Sequence, residues 1–428
     1  MIVNSIRHSG QMRQTYTVRI LVIGGGGREH ALAWKLSQEA EVICAPGNPG
    51  IAQDVECVAV STHDFGGIVR LAHEREVDLV VVGPEDPLIA GLADALREQG
   101  ILTFGPGQVG AQLEGSKAFA KAMMQRSGVP TASYQTFIDT GASKEYVKKQ
   151  FAEGKQVALK ASGNALGKGV IVCDSLEEAL EGIDTLKALG EAGRTLVIEE
   201  RLVGREFSLL TIVSDSHIYS LPVAQDYKRV FDGNEGPNTG GMGTYLPLGW
   251  LDDSVVRQVE AEITAPIVRA FQEDNVSYRG IIFSGVMVTA DGPKCIEYNA
   301  RFGDPEIQSV VRCLGSGFAN ALMQAARGEA ITAPEVLDNS VVTVALASGG
   351  YPGPYQKGLP IQIGLLDASI KLFHAGTAMD GDQLVTNGGR VLGVTAVGSN
   401  LTTARNLAYA AVKQISFPGM HYRTDIGA

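Results

Sequence analysis

Cysteine is scarce in this sequence: five residues in 428, at positions 44, 57, 173, 295 and 313, with no C-x-x-C pair among them. An odd number at such spacings offers neither a disulfide framework nor a thiolate zinc site, which predicts a reducing compartment and a cytoplasmic location. The seven histidines are dispersed, without H-x-x-x-H spacing, and no G-x-S-x-G occurs, so zinc hydrolysis and serine-triad chemistry have no support. Long apolar runs are missing too. The longest, such as 341–347, fall far short of the roughly 20 residues of a membrane span, so no membrane partner is expected. Basic residues are in deficit, 36 Lys and Arg against 47 Asp and Glu, and the net charge of −11 argues against a nucleic-acid partner. Any anionic ligand must therefore be met by a local group of cations. Residues 1–18 are polar, without the apolar core of a signal peptide, and are expected to form a leader tail before the first strand, with Met12 an alternative start.

Glycine is abundant: 52 residues, about 12% of the chain where about 7% is typical, in scattered clusters. With 45% hydrophobic residues and this length, the chain is expected to fold as several α/β and α+β domains. Apolar runs at 20–23, 41–45, 78–82 and 101–104 alternate with amphipathic stretches at 30–38, 66–74 and 89–99, which predicts a doubly wound parallel sheet. Ligands bind beyond the carboxyl ends of such strands, where 24–29, 45–50, 83–87 and 105–107 would lie. A helix at 116–128 leads to a small α+β lobe with strands near 134–137, 157–160, 170–172 and 195–199. A third unit has strands near 206–213, 280–289 and 294–298 and helices near 253–274, 305–314 and 318–327. The last holds β runs at 341–347, 370–373 and 390–397 and a closing helix at 402–415. The predicted division is a tail at 1–18, an amino-terminal domain at 19–118, a core lobe at 119–135 plus 200–332, a small lobe at 136–199 and a β-rich carboxyl-terminal domain at 333–428.

Several motifs carry chemistry. Ile20-Leu-Val-Ile-Gly-Gly-Gly-Gly-Arg-Glu-His30 runs from a strand through a glycine turn into a helix, a setting in which backbone N–H groups can hold an anion. A dinucleotide fingerprint would need glycine where Glu29 or His30 stands, so a small phosphorylated ligand or a merely tight turn is the better reading. Lys160-Ala-Ser-Gly-Asn-Ala-Leu-Gly-Lys-Gly169 is not a P-loop; it reads as a phosphate-covering loop bearing Lys168, or as a hairpin with exposed lysines. Glu199, Glu200 and Glu206 flank a strand end and suit an adenine amino group and a ribose diol, although acid pairs are also common on solvated surfaces. The stretch 236–243, Gly-Pro-Asn-Thr-Gly-Gly-Met-Gly, has too many glycines for a casual loop and predicts ligand contact through Asn238, Thr239 and Gly240. In Glu297-Tyr-Asn-Ala-Arg-Phe-Gly-Asp-Pro-Glu306, strand alternation puts Glu297 and Asn299 on one face as hard oxygen ligands for Mg²⁺ or Mn²⁺. Arg301 follows to meet phosphate, and Asp304 is also a candidate N-cap.

Taken in order, these strings resemble the ATP-grasp ligases and, within them, the glycinamide ribonucleotide synthetase family, from about residue 19 to 417. Leu113-Glu-Gly-Ser-Lys117, Phe373-His-Ala-Gly-Thr377 and Gly388-Gly-Arg390 complete the likeness. The resemblance implies an ATP-grasp fold with the doubly wound domain before it and a small carboxyl-terminal domain after it. It also implies an ATP-dependent, ADP-forming ligation of glycine to 5-phosphoribosylamine through glycyl phosphate, in purine synthesis. By the same resemblance Lys117, Lys160, Lys168, Arg301 and the Glu297/Asn299 metal site neutralise the transferred phosphoryl group, Asp304 is counted with Lys160, Lys168 and Arg301 among the catalytic residues, and Glu199, Glu200, the Leu202 backbone and Glu206 hold adenosine. Gly26, Gly27, Arg28, Glu29, Glu85, Asp304, Lys357 and Arg390 would surround phosphoribosylamine and glycine. Two departures stand out: Met287 where many ATP-grasp enzymes carry a second acidic metal ligand, and Asn164 where an apolar residue is usual. A sibling such as formate-dependent glycinamide ribonucleotide transformylase would share the fold without reason for the 236–243 string, and a non-enzymatic nucleotide-binding module is the distant alternative. The oligomeric expectation is a monomer or weak homo-oligomer.

Overall fold

The computed structural model describes residues 17–163 and 169–428. Its first unit is a five-stranded parallel sheet with Arg19–Gly24 at its centre, flanked by Glu41–Pro46 and Leu79–Val82, and with Glu56–Cys57 and Thr103–Phe104 at the edges. Ile20, Leu21, Val22 and Ile23 are all fully buried, because helices cover both faces of a parallel sheet. The chain winds outward in opposite senses from the first strand, so the turns after Gly24 and Val82 open onto one crevice. The edge strand Glu56–Cys57 is too short to leave a pattern in the sequence. The helix expected at 89–99 is two helices, Glu85–Ile89 and Leu92–Glu98, because Gly91 between them adopts the left-handed conformation (φ 94°).

The small lobe is an antiparallel sheet in the order Tyr134–Phe137, Leu196–Glu200, Val157–Ala161, Val170–Cys173. Its helices begin at side-chain caps: Asp139 accepts from the Ala142 N–H, and Ser175 with Glu178 forms a capping box. Val147, Leu159, Ile183, Leu186 and Ile198 form a core that belongs to this lobe alone. The rest of the molecule is packed differently. One continuous apolar cluster contains Ile20 and Val22 of the first sheet, Ile281 and Phe302 of the core lobe and Phe373 near the carboxyl end, so these parts are held together by shared burial.

The core lobe is built on Arg205–Ser214, Arg279–Thr289 and Gly292–Asn299, with His217–Ser220 on the outer edge. The helix expected at 253–274 is present as Asp253–Val259 and Ala265–Glu273, joined by a π turn, Glu260–Thr264. The last sheet differs from expectation. Ser340–Ala347, Arg390–Gly398 and Ile370–His374 are joined in it by Gly243–Leu246 and Gln225–Asp226, so its strands come from both sides of residue 333. Among the described residues no helix is long and apolar enough to cross a membrane.

Polar contacts tie the carboxyl-terminal strand Ile370–His374 to the first unit. The His374 N–H donates to His30 Nδ1 (2.7 Å), His30 Nε2 faces Asp54 Oδ2 (3.0 Å), and Lys371 donates to the same carboxylate (2.6 Å). Burial, with His30 and Lys371 nearby, pushes the His374 imidazole down to about 4, and burial lowers His30 as well. A histidine with a lowered folded pKa binds its proton more readily in the unfolded chain, so stability is lost as pH falls from about 6.5 toward 4. The loss attributable to His374 is at most about 3 kcal/mol. Denaturant titrations at pH 7, 5.5 and 4.5 should show this loss, and His374→Gln should flatten it by about one proton. Equal pH slopes for the two proteins would overturn the assignment.

Candidate functional site

The site begins at the glycine turn. Gly24 has φ 129°, and a side chain there would meet the Glu29 Cγ at 2.4 Å, so only glycine fits. Glu29 folds back over the turn: its Oε2 accepts from the Gly26 N–H (2.6 Å) and its Oε1 from Arg28 Nε (2.6 Å). A carboxylate therefore fills the place of a dinucleotide pyrophosphate, and the Gly26 amide is satisfied within the protein and not left open to a ligand. Gly27 opens the helix Gly27–Leu36, close against the Gln308 amide. Arg28, buried, reaches Glu85 Oε2 (3.4 Å) and the Phe302 carbonyl (3.3 Å).

Glu85 joins this turn to the core lobe, because its Oε2 also meets Arg301 Nε (3.3 Å). Burial favours its neutral form, but Arg301 and Arg28 outweigh it and hold the carboxyl at about 2. Arg301 lies just beyond the end of Gly292–Asn299, and its Nη2 pairs with Glu114 Oε1 (2.8 Å) and touches Asn299 Oδ1 (3.5 Å). The guanidinium expected to point at phosphate along the strand face is thus committed to two carboxylates first.

The neighbouring cleft lies between the small and core lobes. Lys160, at the end of Val157–Ala161, donates to the Ile296 carbonyl (2.9 Å) and pairs with Glu199 Oε2 (3.0 Å), while Lys121 pairs with Glu199 Oε1 (3.1 Å). Glu199 is almost fully buried beside two ammonium groups, and its Oε1 has no hydrogen-bond partner among the described residues. Glu200 accepts from the Ser133 N–H (3.1 Å) and Lys294 (3.4 Å); Leu202 lies in the connection to Arg205–Ser214. Glu206 meets Lys228 at 3.5 Å, and Lys228 meets Glu297 at 3.6 Å. Lys117 starts the helix Lys117–Arg126, with its N–H on the Ser162 carbonyl (2.8 Å). Burial alone would raise the Glu297 carboxyl, yet Lys228, Lys117, Lys160 and Arg301 hold it at about 2.

The 236–243 stretch is braced from within. Glu235–Asn238 pairs with Arg229–Phe231; Thr239 donates to the Lys228 carbonyl through N–H (2.7 Å) and Oγ1 (2.8 Å); and the Gly240 N–H donates to the Tyr351 hydroxyl (2.9 Å). Arg390 Nη1 donates to the carbonyls of Gly240 (2.6 Å) and Asp304 (2.6 Å), and its Nη2 pairs with Asp304 Oδ2 (3.2 Å). Asp304 is not the cap of the following helix, which starts at Glu306; its Oδ1 accepts from Gln308 Nε2 (2.8 Å). Lys357 stands exposed on the loop after Ser340–Ala347, and no hydrogen bond or ion pair joins it to the other named residues within the described part of the chain. Lys168 and Asn164 lie outside the described residues.

The donor set suits a hard divalent cation. Glu297 is ionised and Asn299 follows two residues on, while the strand-paired neighbour of Glu206 is the thioether Met287. Among the described residues no cluster of three His, Cys, Asp or Glu side chains could hold a metal by itself. One carboxylate and one amide fit an ion that keeps water and phosphate ligands. Glu114, Lys121 and Lys228 also belong to this network, and the sequence reading assigned them no role. Only Glu114 stood inside a quoted string, 113–117; Lys121 and Lys228 gave no signal, since their partners lie far along the chain.

Comparison with known proteins places the chain in a family. Three family models match: phosphoribosylglycinamide synthetase N domain over 18–114, ATP-grasp (A) domain over 115–307 and C domain over 341–428. A curated phosphoribosylamine–glycine ligase of Rhizobium meliloti is 46% identical over 419 residues, covering 96% of this chain and 98% of that one. The crystal structure of phosphoribosylamine–glycine ligase from Thermotoga maritima aligns with TM-score 0.82 at 32% identity, over 95% of this chain and all of that one. The biotin carboxylase domain of Hydrogenobacter thermophilus 2-oxoglutarate carboxylase shares the fold alone, with TM-score 0.71 at 18% identity over 95% of this chain and 92% of that one. With most of its length matched in this way, the chain belongs to the phosphoribosylglycinamide synthetase family.

Proposed function

We propose that the protein is an ADP-forming ligase that joins glycine to 5-phosphoribosylamine at the expense of ATP, giving glycinamide ribonucleotide for purine synthesis. The observation that carries this reading is the guanidinium and carboxylate chain Arg28, Glu85, Arg301, Glu114. It sets the glycine turn of the first unit directly beside Glu297 and Asn299 in the ATP-grasp cleft. A phosphorylated sugar amine and an acyl phosphate must meet before water intervenes, and adjacent sites sharing one wall allow that.

Carboxylate is a poor acyl donor. The γ-phosphoryl group of ATP passes to a glycine carboxylate oxygen, forming glycyl phosphate and ADP. The amine of phosphoribosylamine then attacks the acyl carbon; the C–N bond forms, the C–O bond to phosphate breaks, and the amine gives up a proton. Lys117, Lys160, Lys168 and Arg301 neutralise the charge that develops, with Glu199 fixing Lys160. Glu200, the Leu202 backbone and Glu206 hold adenosine at the rim. Glu297 and Asn299 hold Mg²⁺ or Mn²⁺, which when bound neutralises phosphate charge. Gly27, Arg28, Glu85, Asn238, Thr239, Gly240, Asp304, Lys357 and Arg390 surround the two other substrates, while Gly26 and Glu29 shape the turn. In this reading 19–118 presents phosphoribosylamine, 119–135 plus 200–332 and 136–199 close over ATP, and 333–428 completes the wall. A cytoplasmic location is supported by five cysteines that are all free. A monomer or weak homo-oligomer completes the proposal.

A coupled assay of ADP release tests it. Release should require glycine and phosphoribosylamine together, and omitting either should lower the rate by at least about 100-fold. Release with formate and glycinamide ribonucleotide in their place would favour the sibling enzyme, and none with any pair would leave a binding module.

A further inference from the structure

The loop after Glu41–Pro46 is wedged between the glycine turn and the carboxyl-terminal strand Ile370–His374. The Gly47 N–H donates to the Gly24 carbonyl (3.1 Å). A side chain at Gly25 would come within 2.5 Å of the Gly47 carbonyl oxygen, and one at Gly50 within 2.2 Å of the His374 ring, so the loop has no room to spare on either side. Between these contacts stands Asn48, half-buried, and every polar position of its amide is used. Its Nδ2 donates to the carbonyls of Gly25 (2.9 Å) and His374 (2.8 Å), while its Oδ1 accepts from the N–H groups of Gly50 (2.9 Å) and Ile51 (2.9 Å). Only an amide in this orientation serves all four, since turning it over would set its oxygen against two carbonyls. The His374 peptide is thereby pinned to the first unit at both ends, by its N–H to His30 Nδ1 and by its carbonyl to Asn48. The turn itself is held from two directions. Glu29 takes the Gly26 N–H from the helix side, and Asn48 takes the Gly25 carbonyl from the side of the carboxyl-terminal strand.

We infer that Asn48 is a positioning residue of the ligation: one side chain fixes where the glycine turn stands relative to the carboxyl-terminal domain, and so where the amine of phosphoribosylamine stands relative to the acyl phosphate. This rests on the reading of the protein as a glycine ligase. Asn48 touches no reacting atom, and its effect lies in the competition for the acyl carbon. An amine in line with that carbon forms the C–N bond, and phosphate leaves with the electron pair of the C–O bond. When the amine is displaced, water attacks the same carbon and returns glycine and phosphate, so that ATP is consumed and no amide forms. A misplacement of about 1 Å lowers the rate of an aligned reaction by about 100-fold, enough to let water compete.

The test is Asn48→Asp, which keeps both acceptor bonds and replaces the bridging NH₂ group with an oxygen that repels the two carbonyls. Its rate of glycinamide ribonucleotide formation should fall about 10- to 100-fold, and the ADP released per amide formed should rise from unity to at least about two, while its KM for ATP stays within about twofold. Lys371→Met is the control, because it removes the ion pair with Asp54 (2.6 Å) at the same junction and leaves the bonds of the turn alone. It should lower the melting temperature and keep the ratio at unity. Amide hydrogen exchange over residues 24–29 reads the same clasp without turnover, and should quicken by about 10-fold or more in Asn48→Asp but not in Lys371→Met. A ratio of unity in Asn48→Asp, unchanged exchange in the turn, or an equal rise in the ratio for both variants would overturn the positioning role. If the wild-type protein releases no ADP with glycine and phosphoribosylamine, the ligase reading falls by itself, and the exchange comparison still decides whether Asn48 holds the turn.

Discussion

Arg301→Met is expected to be the most damaging single substitution in the site, lowering stability by about 3–5 kcal/mol and ADP release by about 100-fold or more. The guanidinium pairs with both Glu114 and Glu85, at 2.8 and 3.3 Å. It also donates to the Phe302 carbonyl at 3.1 Å. Without it the two half-buried carboxylates keep Arg28, beside Glu85, as their nearby cation, and Glu114 keeps only the Ala300 N–H (2.9 Å). Burial and Glu85 already push the Glu114 carboxyl upward in the intact protein. Its rise in the variant gives a sign that can be checked. A folded-state pKa above the unfolded value means that the folded state binds the extra proton, so the variant should regain stability as pH falls and lose it as pH rises. Arg301→Lys keeps the charge, but one ammonium cannot bridge both carboxylates, and it should recover less than half of the loss. Denaturation at pH 5 and pH 8, beside ADP release, measures this. A variant equally stable at both pH values, with wild-type turnover, would remove Arg301 from the centre of the site.

Glu297→Gln should lower turnover by about 100-fold or more and raise the divalent-cation concentration needed for half-maximal rate by at least about 10-fold. It takes away the one carboxylate of a two-donor set. The competing role for Glu297 is a structural strand acid paired with Arg301. The geometry separates the two, since Arg301 is occupied by Glu114 and Glu85 and the partner of Glu297 is Lys228 at 3.6 Å. Some stability is lost as well. Burial opposes the Glu297 charge, but four cations hold it at about 2, so it contributes about 1–3 kcal/mol above pH 4.5, which disappears as pH falls toward 2. The wild type and the variant should therefore converge in stability in acid. An unshifted metal titration with a lowered melting temperature would rule out ligation and leave a purely structural acid.

These effects were unevenly legible in the chain. That Glu297 and Asn299 share one face of a strand is a local matter of alternation, whereas the expected cap Asp304 gave way to Pro305 before a helix that starts at Glu306. Glu29 was readable in part: its position excluded a dinucleotide, but its capture of the Gly26 amide at 2.6 Å appeared only once the turn was folded. Glu199 looked like a free acid at a strand end and is an acid enclosed by Lys121 and Lys160. The 236–243 string was legible as special, yet not as the entry to a strand that pairs with Ser340–Ala347.

By itself the sequence determined whatever depends on neighbours in the chain: the buried parallel strands, the glycine turn, the capped helices, the pair of hard oxygen donors, and the order of motifs that marks the family. Apolar run length, side-chain alternation and the need for positive φ act over a few residues, so they are written in the order of residues. Only the tertiary structure decided which charges meet. Glu114 and Arg301 are 187 positions apart, Lys160 and the Ile296 carbonyl 136, and Arg390 and the Gly240 carbonyl 150. Burying ions is costly unless each finds a partner, and the partner is set by how the sheets pack, which no local pattern specifies.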